Sequence, residues 1–189
     1  MAPRNRQFYG IVAAATAVAV ASACWLLRPT SAPAASYYDS LIKEAADRHG
    51  IDPLLVKAVI RQESNFDADA KGDAGEVGLM QITRAAARDW ERVNDRQLRS
   101  AGALYAPQLN VEVGTWYLAQ GMRRWDTHGE TEVMALIHYN AGPGRARQWA
   151  RENSGENVRE QIPFASTRAY IDNVLSYRNR YKTRGYQIQ

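Results

Sequence analysis

The stretch "FYGIVAAATAVAVASACWLL", Phe8 to Leu27, runs for 20 residues without a charge. As a helix it spans roughly 30 Å, enough to cross the hydrocarbon core of a bilayer. It therefore divides the chain: residues 1–35 read as a hydrophobic segment plus linker, and the folded body is expected over 36–189. Arg4 and Arg6 precede the run, and no acidic residue occurs before Asp39. That asymmetry predicts a cytoplasmic N-terminus and an exported body on the far side of the membrane. Three fates stay open. The length of the run and its bulky end, Trp25-Leu26-Leu27, favour a signal anchor. Ala32-Pro33-Ala34 offers an A-x-A-like site for a cleaved signal peptide. Cys24, after Ala21-Ser22-Ala23, offers lipidation.

Charge excludes one class of function. The net charge is +4, but three of the 24 basic residues and none of the 20 acidic ones lie in residues 1–35. The body is close to neutral, and no nucleic-acid face is indicated. Cys24 is the only cysteine, so no intramolecular disulfide or cysteine-built metal site is available. His49, His128 and His138 have no metal-ligand spacing, and neither metal nor cofactor is expected.

The body reads as all-α, or α-dominated α+β, with six to eight helices. "SYYDSLIKEAADRHG" has apolar residues at helical spacing and Gly50 to end it. "DPLLVKAVIRQES" has Asp52 as N-cap and Pro53 at the first helical position. Residues 65–76 are polar and glycine-punctuated, hence a loop. A short helix is expected near Gly78, followed by helices over "TRAAARDWERV", "NVEVGTWYLAQGMRRW" with Asn110 as N-cap, and "TEVMALIHYN", which stops at "AGPG". "GRARQWAREN" and "STRAYIDNVLSYRNRYK", the latter with Ser166 as N-cap, complete the set. "NVREQIPF" is the one extended candidate, and Pro163 argues against a central strand.

Glu63 stands at the C-terminal end of an apolar helix. A helical glutamate ordinarily faces solvent. Here the helix dipole and partial burial both disfavour its negative charge and raise its pKa. A carboxylic acid still protonated near neutral pH is what a general acid requires.

Four segments occur in order: "ES" at Glu63-Ser64, "GLMQI" at Gly78 to Ile82, "ALIHYNAGPG" at Ala135 to Gly144, and "TRAYIDNVL" at Thr167 to Leu175. Together they resemble the catalytic domain of the family 1 soluble lytic transglycosylases, relatives of goose-type lysozyme, over about residues 36–185. The resemblance implies a lysozyme-like helical domain with a substrate groove. It implies cleavage of the β-1,4 bond between N-acetylmuramic acid and N-acetylglucosamine in peptidoglycan, without water, to leave 1,6-anhydro-muramoyl ends. Glu63 matches the single acid/base. It would protonate the glycosidic oxygen and then take the proton of the muramoyl C6 hydroxyl, while the substrate's acetamido group stabilises the cation. Substrate-assisted chemistry of this kind needs no second carboxylate.

By the same resemblance, Met80 and Gln81 line the glycan groove, and Tyr139 and Asn140 face the acid and hold the sugar. Tyr170 brings its hydroxyl to Glu63, and Ser64 bonds locally. The abundant tryptophans and tyrosines offer sugar-stacking faces, although Trp116 and Trp149 sit in helical patterns that suit the core. Two positions depart from the family. Gly72 stands where a serine usually faces the substrate acetamido group, and Ser166 stands where a glutamate often precedes "TR". Two alternatives remain: a hydrolytic muramidase of the same fold, which needs a positioned water and a second carboxylate, and a non-catalytic wall-binding module. The expected partners are glycan strands and the membrane, with proteins of a wall-spanning apparatus left open.

Overall fold

The computed structural model describes residues 35–98, 100–152 and 157–188. The apolar run with its three possible fates lies outside the described residues. Among those described, no helix is long and apolar enough to cross a membrane.

Seven α-helices carry the described body. They are α1 (Asp39–His49), α2 (Pro53–Ser64), α3 (Arg84–Asn94), α4 (Pro107–Arg124), α5 (Thr131–Glu152), α6 (Val158–Gln161) and α7 (Ala165–Thr183). A 3-10 helix, Ala101–Tyr105, leads into α4. Local chemistry sets several ends as expected. Gly50 closes α1 at φ 68°, a conformation that costs glycine little. Asp52 accepts from the Leu54 amide at 2.9 Å and Pro53 opens α2. Thr83 caps α3 by accepting from Ala86 N at 3.1 Å.

Helix α2 sits at the centre. Leu55, Val56, Ala58, Val59 and Ile60 are all buried. It packs chiefly against α7 and also against α1, while α4 packs against α5 and α1. Burial on that scale, at about 1.5–3 kcal/mol for each large apolar side chain, is the main force holding α2 in place. One central residue is a cation. Lys57 has no exposed surface, and its ammonium donates to the Ala35 carbonyl at 2.8 Å, the Tyr186 hydroxyl at 2.7 Å and the Asp39 carboxylate. The Tyr186 ring lies 4.2 Å from that nitrogen. Lys57 thus joins the start of the described body to its C-terminal segment.

Several local expectations differ from the structure. Residues 78–81 form turns, not a helix, flanked by isolated bridges pairing Val77 with Lys71 and with Ile82. Helix α4 begins at Pro107, so Asn110 is an interior residue and not a cap. Its side chain is more valuable elsewhere, as described below. Helix α7 begins at Ala165, with Ser166 exposed inside its first turn. "NVREQIPF" holds the short helix α6 in place of a strand. Trp116 and Trp149 are buried, in line with their helical patterns, and Trp90 is buried as well, so none of the three offers a face for sugar stacking. The expected stop at "AGPG" falls as a kink: Gly142, at φ 84° and ψ 161°, breaks α5 ahead of Pro143, which lacks an amide hydrogen to continue the ladder.

Candidate active site

Glu63 is the penultimate residue of α2. The chain leaves that helix through two non-glycine residues with left-handed backbone, Asn65 (φ 53°) and Phe66 (φ 67°). Phe66 is buried at 2% exposure, so packing of its ring offsets the backbone strain. The Ser64 hydroxyl donates to the Leu79 carbonyl at 2.8 Å, with the Ile60 carbonyl also in reach at 3.3 Å. That bond fastens the end of α2 to the turn formed by Gly78 to Ile82.

The turn is built almost wholly from backbone bonds. Gly78 N donates to Ala70 O at 2.8 Å, and Gly72 N to Glu76 O at 2.8 Å. Val77 and Ile82 exchange both amide bonds, at 3.2 and 2.9 Å. Asn110 holds it from beneath: its carbonyl accepts from Met80 N at 2.8 Å, and its amide donates to Val77 O at 2.8 Å and Leu104 O at 2.7 Å. A Cβ on Gly78 would stand 2.3 Å from the Asn110 amide nitrogen, and Gly78 has φ +76°. Only glycine satisfies both conditions there.

Around Glu63 the helices contribute one phenol each. From α7, the buried Tyr170 donates its hydroxyl to Glu63 Oε1 at 2.7 Å. From α5, the Tyr139 hydroxyl donates to the Met80 carbonyl at 2.8 Å. The Tyr139 and Glu63 side chains are close enough to interact electrostatically, as are those of Tyr170 and Glu63. Burial raises the Glu63 pKa to about 7. The bond from Tyr170 opposes that shift, and the Glu76 carboxylate adds to it. Both phenols are held well above their ordinary range by burial first and by the carboxyl beside them.

The structure brings Glu63, Tyr139 and Tyr170 together around one carboxyl, and Ser64 fastens the helix end beside it. Met80 differs from its expected place: its side chain is fully buried, with its sulfur 3.9 Å from the Thr115 hydroxyl. What it contributes is the carbonyl that orients Tyr139. Gln81, at φ 48°, uses its amide on Ala70 O at 3.2 Å and Gly78 O at 2.9 Å, so it braces the loop. Asn140 is exposed beside Tyr139. Two contributors have roles other than those their sequence positions suggest. Asn110 reads as a cap because its partners lie 6 to 33 residues away, and Glu76, which with Asp67, Asp69 and Asp73 is a loop acid eligible as a second carboxylate, acts as a negative neighbour that raises the Glu63 pKa. A Cβ on Gly72 would stand 2.5 Å from Glu76 Oε2 and 2.9 Å from Gln81 Oε1. The glycine thus leaves the room that the Glu76 side chain fills.

The fold and site define a helical domain that presents one partly buried carboxylic acid, gripped by a phenol, at a helix end. Residues 40–162 match the Transglycosylase SLT domain, and the chain belongs to that family. It is 33% identical to the soluble lytic murein transglycosylase of Escherichia coli K12 over 150 residues, 77% of this chain and 23% of the relative. It is 36% identical to the membrane-bound lytic murein transglycosylase F of Desulfosudis oleivorans over 141 residues, 69% of this chain and 29% of the relative. The structure of an inactive Glu-to-Gln mutant of lytic transglycosylase Slt from Pseudomonas aeruginosa superposes with a TM-score of 0.72 at 33% identity. That match covers 81% of this chain and 25% of that one. The chain therefore spans about a quarter of the length of these relatives, and the shared part is the lysozyme-like helical domain.

Proposed function

We propose that the protein is a peptidoglycan lytic transglycosylase of the bacterial cell envelope, with Glu63 as its acid/base. The observation that carries the reading is the Glu63 carboxyl, held protonated to about pH 7 by burial yet hydrogen-bonded to Tyr170. Protonated, it donates to the glycosidic oxygen and the leaving sugar departs as an alcohol. The resulting carboxylate is the stronger acceptor for the Tyr170 hydroxyl, which stabilises it. It then takes the proton of the muramoyl C6 hydroxyl as that oxygen closes on C1, which returns Glu63 to its starting state. The substrate's acetamido group carries the positive charge between the two steps. Ser64, Gln81 and Tyr139 position the acid and its loop, and Asn140 is open to a glycan. The names of the relatives, lytic murein transglycosylases both soluble and membrane-bound, support the substrate and the envelope location. The run from Phe8 to Leu27 supplies a tether for residues 36–189 on the outer face of the inner membrane.

A hydrolytic reading has one observation in its favour: a second carboxylate, Glu76, acts electrostatically on Glu63. That carboxylate already accepts from Ala74 N at 3.1 Å within its own loop, which favours a structural role over activation of water. Product analysis separates the two. The chain is incubated with isolated peptidoglycan beside its Glu63→Gln variant, and the fragments are weighed by mass spectrometry. Anhydro-muramoyl ends that vanish in the variant are the expected result. Reducing muramic ends would select the muramidase, and wall binding with no products would select a binding module.

A further inference from the structure

A second concavity, of about 490 Å³, lies between α3, α4 and α5, within the volume range of small-ligand sites. Arg92, Arg123, Arg124 and Arg147 line it, with Asp89 as the one carboxylate among the lining residues. Asp89 is taken by Arg92 at 2.9 Å. Gln120 stands beside Arg123 and the Trp116 indole; with its amide oxygen turned toward them it accepts from both, at 3.2 and 3.1 Å. Arg124 lies 5.7 Å from the Trp125 ring. Neither Arg124 nor Arg147 has an acidic partner among the described residues, and both are exposed.

The floor is aromatic. Tyr117 and His138 meet edge to face with centroids 5.4 Å apart, and Tyr117 meets Tyr139 of the candidate active site at 5.7 Å. His138 is only 6% exposed, and its Nδ1 is buried without a hydrogen-bond partner. Burial, then Arg124 and Arg147, lower its pKa to about 4. A neutral imidazole therefore faces two guanidiniums. Like charges gathered over a buried, unpartnered ring nitrogen are unfavourable until an anion joins them. The guanidinium fork matches a carboxylate in two parallel hydrogen bonds, and the aromatic floor suits the carbon chain of a peptide.

We propose that this groove binds the carboxylates of an acidic peptide carried by the glycan strand, clamped by Arg124 and Arg147 over Tyr117 and His138. The proposal rests on the transglycosylase reading for the origin of that peptide, and its test does not depend on cleavage. The full chain in detergent, carrying Glu63→Gln to prevent turnover, is titrated against a labelled tetrapeptide with free carboxylates and against its fully amidated counterpart. The acidic peptide is expected to bind at least tenfold more tightly. That advantage disappears in Arg124→Gln/Arg147→Gln and returns only in part in Arg124→Lys/Arg147→Lys. Both positions are exposed, so these variants keep the fold. Equal binding of the two peptides, an advantage that survives the glutamine variants, or displacement by equimolar inorganic phosphate would overturn the assignment. Absence of peptide selectivity in the chain that keeps both arginines, with anhydro products formed by the chain that keeps Glu63, overturns the subsite alone. Absence of anhydro products with peptide selectivity intact overturns the activity alone.

Discussion

The Tyr170 hydroxyl donates to Glu63 Oε1 at 2.7 Å and works against the burial that surrounds the carboxyl. The two influences act at different moments of a proton shuttle. Burial keeps the acid loaded near neutral pH, and the phenol makes its conjugate base accessible once the proton has left. Removing either changes the chemistry in a different direction.

Tyr170→Phe deletes the donor and keeps the ring. A hydrogen bond to a charged group contributes about 1.5–3 kcal/mol, so the Glu63 pKa should rise by about one unit or more above its present value of about 7. The alkaline limb of the kcat/KM profile moves up accordingly, and the maximal rate falls about tenfold because the carboxylate is harder to form. A limb that stays in place in the pH–rate profile would mean that Glu63 is not the titrating acid.

Glu63→Gln should stabilise the fold in one pH range only. The folded pKa, about 7, exceeds the ordinary 4.5. Below the ordinary value the carboxyl is neutral in both states and its full contribution is present. As pH rises from there toward 7 the unfolded chain ionises freely while the folded one resists, and the stability is lost, completely once pH passes the folded pKa. The loss approaches about 2 kcal/mol once solvent on the open side of the carboxyl is allowed for. Thermal melts of the two proteins should coincide near pH 4 and separate by several degrees at pH 8, with the glutamine variant higher.

Gly72 and Glu76 should behave as a coupled pair. A serine at 72 places its Cβ against Glu76 Oε2, a crowding that costs about 1–3 kcal/mol. Glu76→Ala should relieve it, so the double variant melts close to wild type and the mutant cycle shows a coupling of about 1 kcal/mol or more. Glu76→Ala alone also removes a negative neighbour from Glu63 and should move the alkaline limb of the rate profile down. Additive melting shifts would show that the two side chains do not compete for the same space.

Lys57→Ala strands the Asp39 carboxylate beside a cavity and should cost about 3–5 kcal/mol. Lys57→Met keeps the packing against the Tyr186 ring and should cost less. Denaturant melts of both variants measure the difference, and equal losses would assign the effect to charge alone.

How much was legible beforehand varied with the distance between partners. The α2 cap at Asp52, the stop at Gly50 and the break at Gly142 were readable, because each depends on residues within a few positions. Asn110 was misread for the opposite reason: it lies in a helix-start pattern, but its hydrogen-bonding capacity is used by a turn 30 residues away. Ser166 had the chemistry of a cap, yet α7 starts one residue earlier. Met80 and Gln81 were placed by motif on the groove, whereas the structure turns one into the core and binds the other to its own loop. A motif identifies neighbours but does not say which way a side chain points.

The amino-acid sequence by itself determined the helical class, the order of the four motifs and Glu63 as the acid to examine. Apolar periodicity, capping chemistry and motif spacing are all written along the chain. Tertiary structure decided that this acid stays protonated to about pH 7, because burial among the packed elements, with a smaller contribution from the Glu76 carboxylate, outweighs the opposing hydrogen bond from Tyr170. It also decided that four arginines from three helices share one groove over a buried histidine. Burial and charge are properties of what surrounds a group in space, and only the folded chain brings those surroundings together.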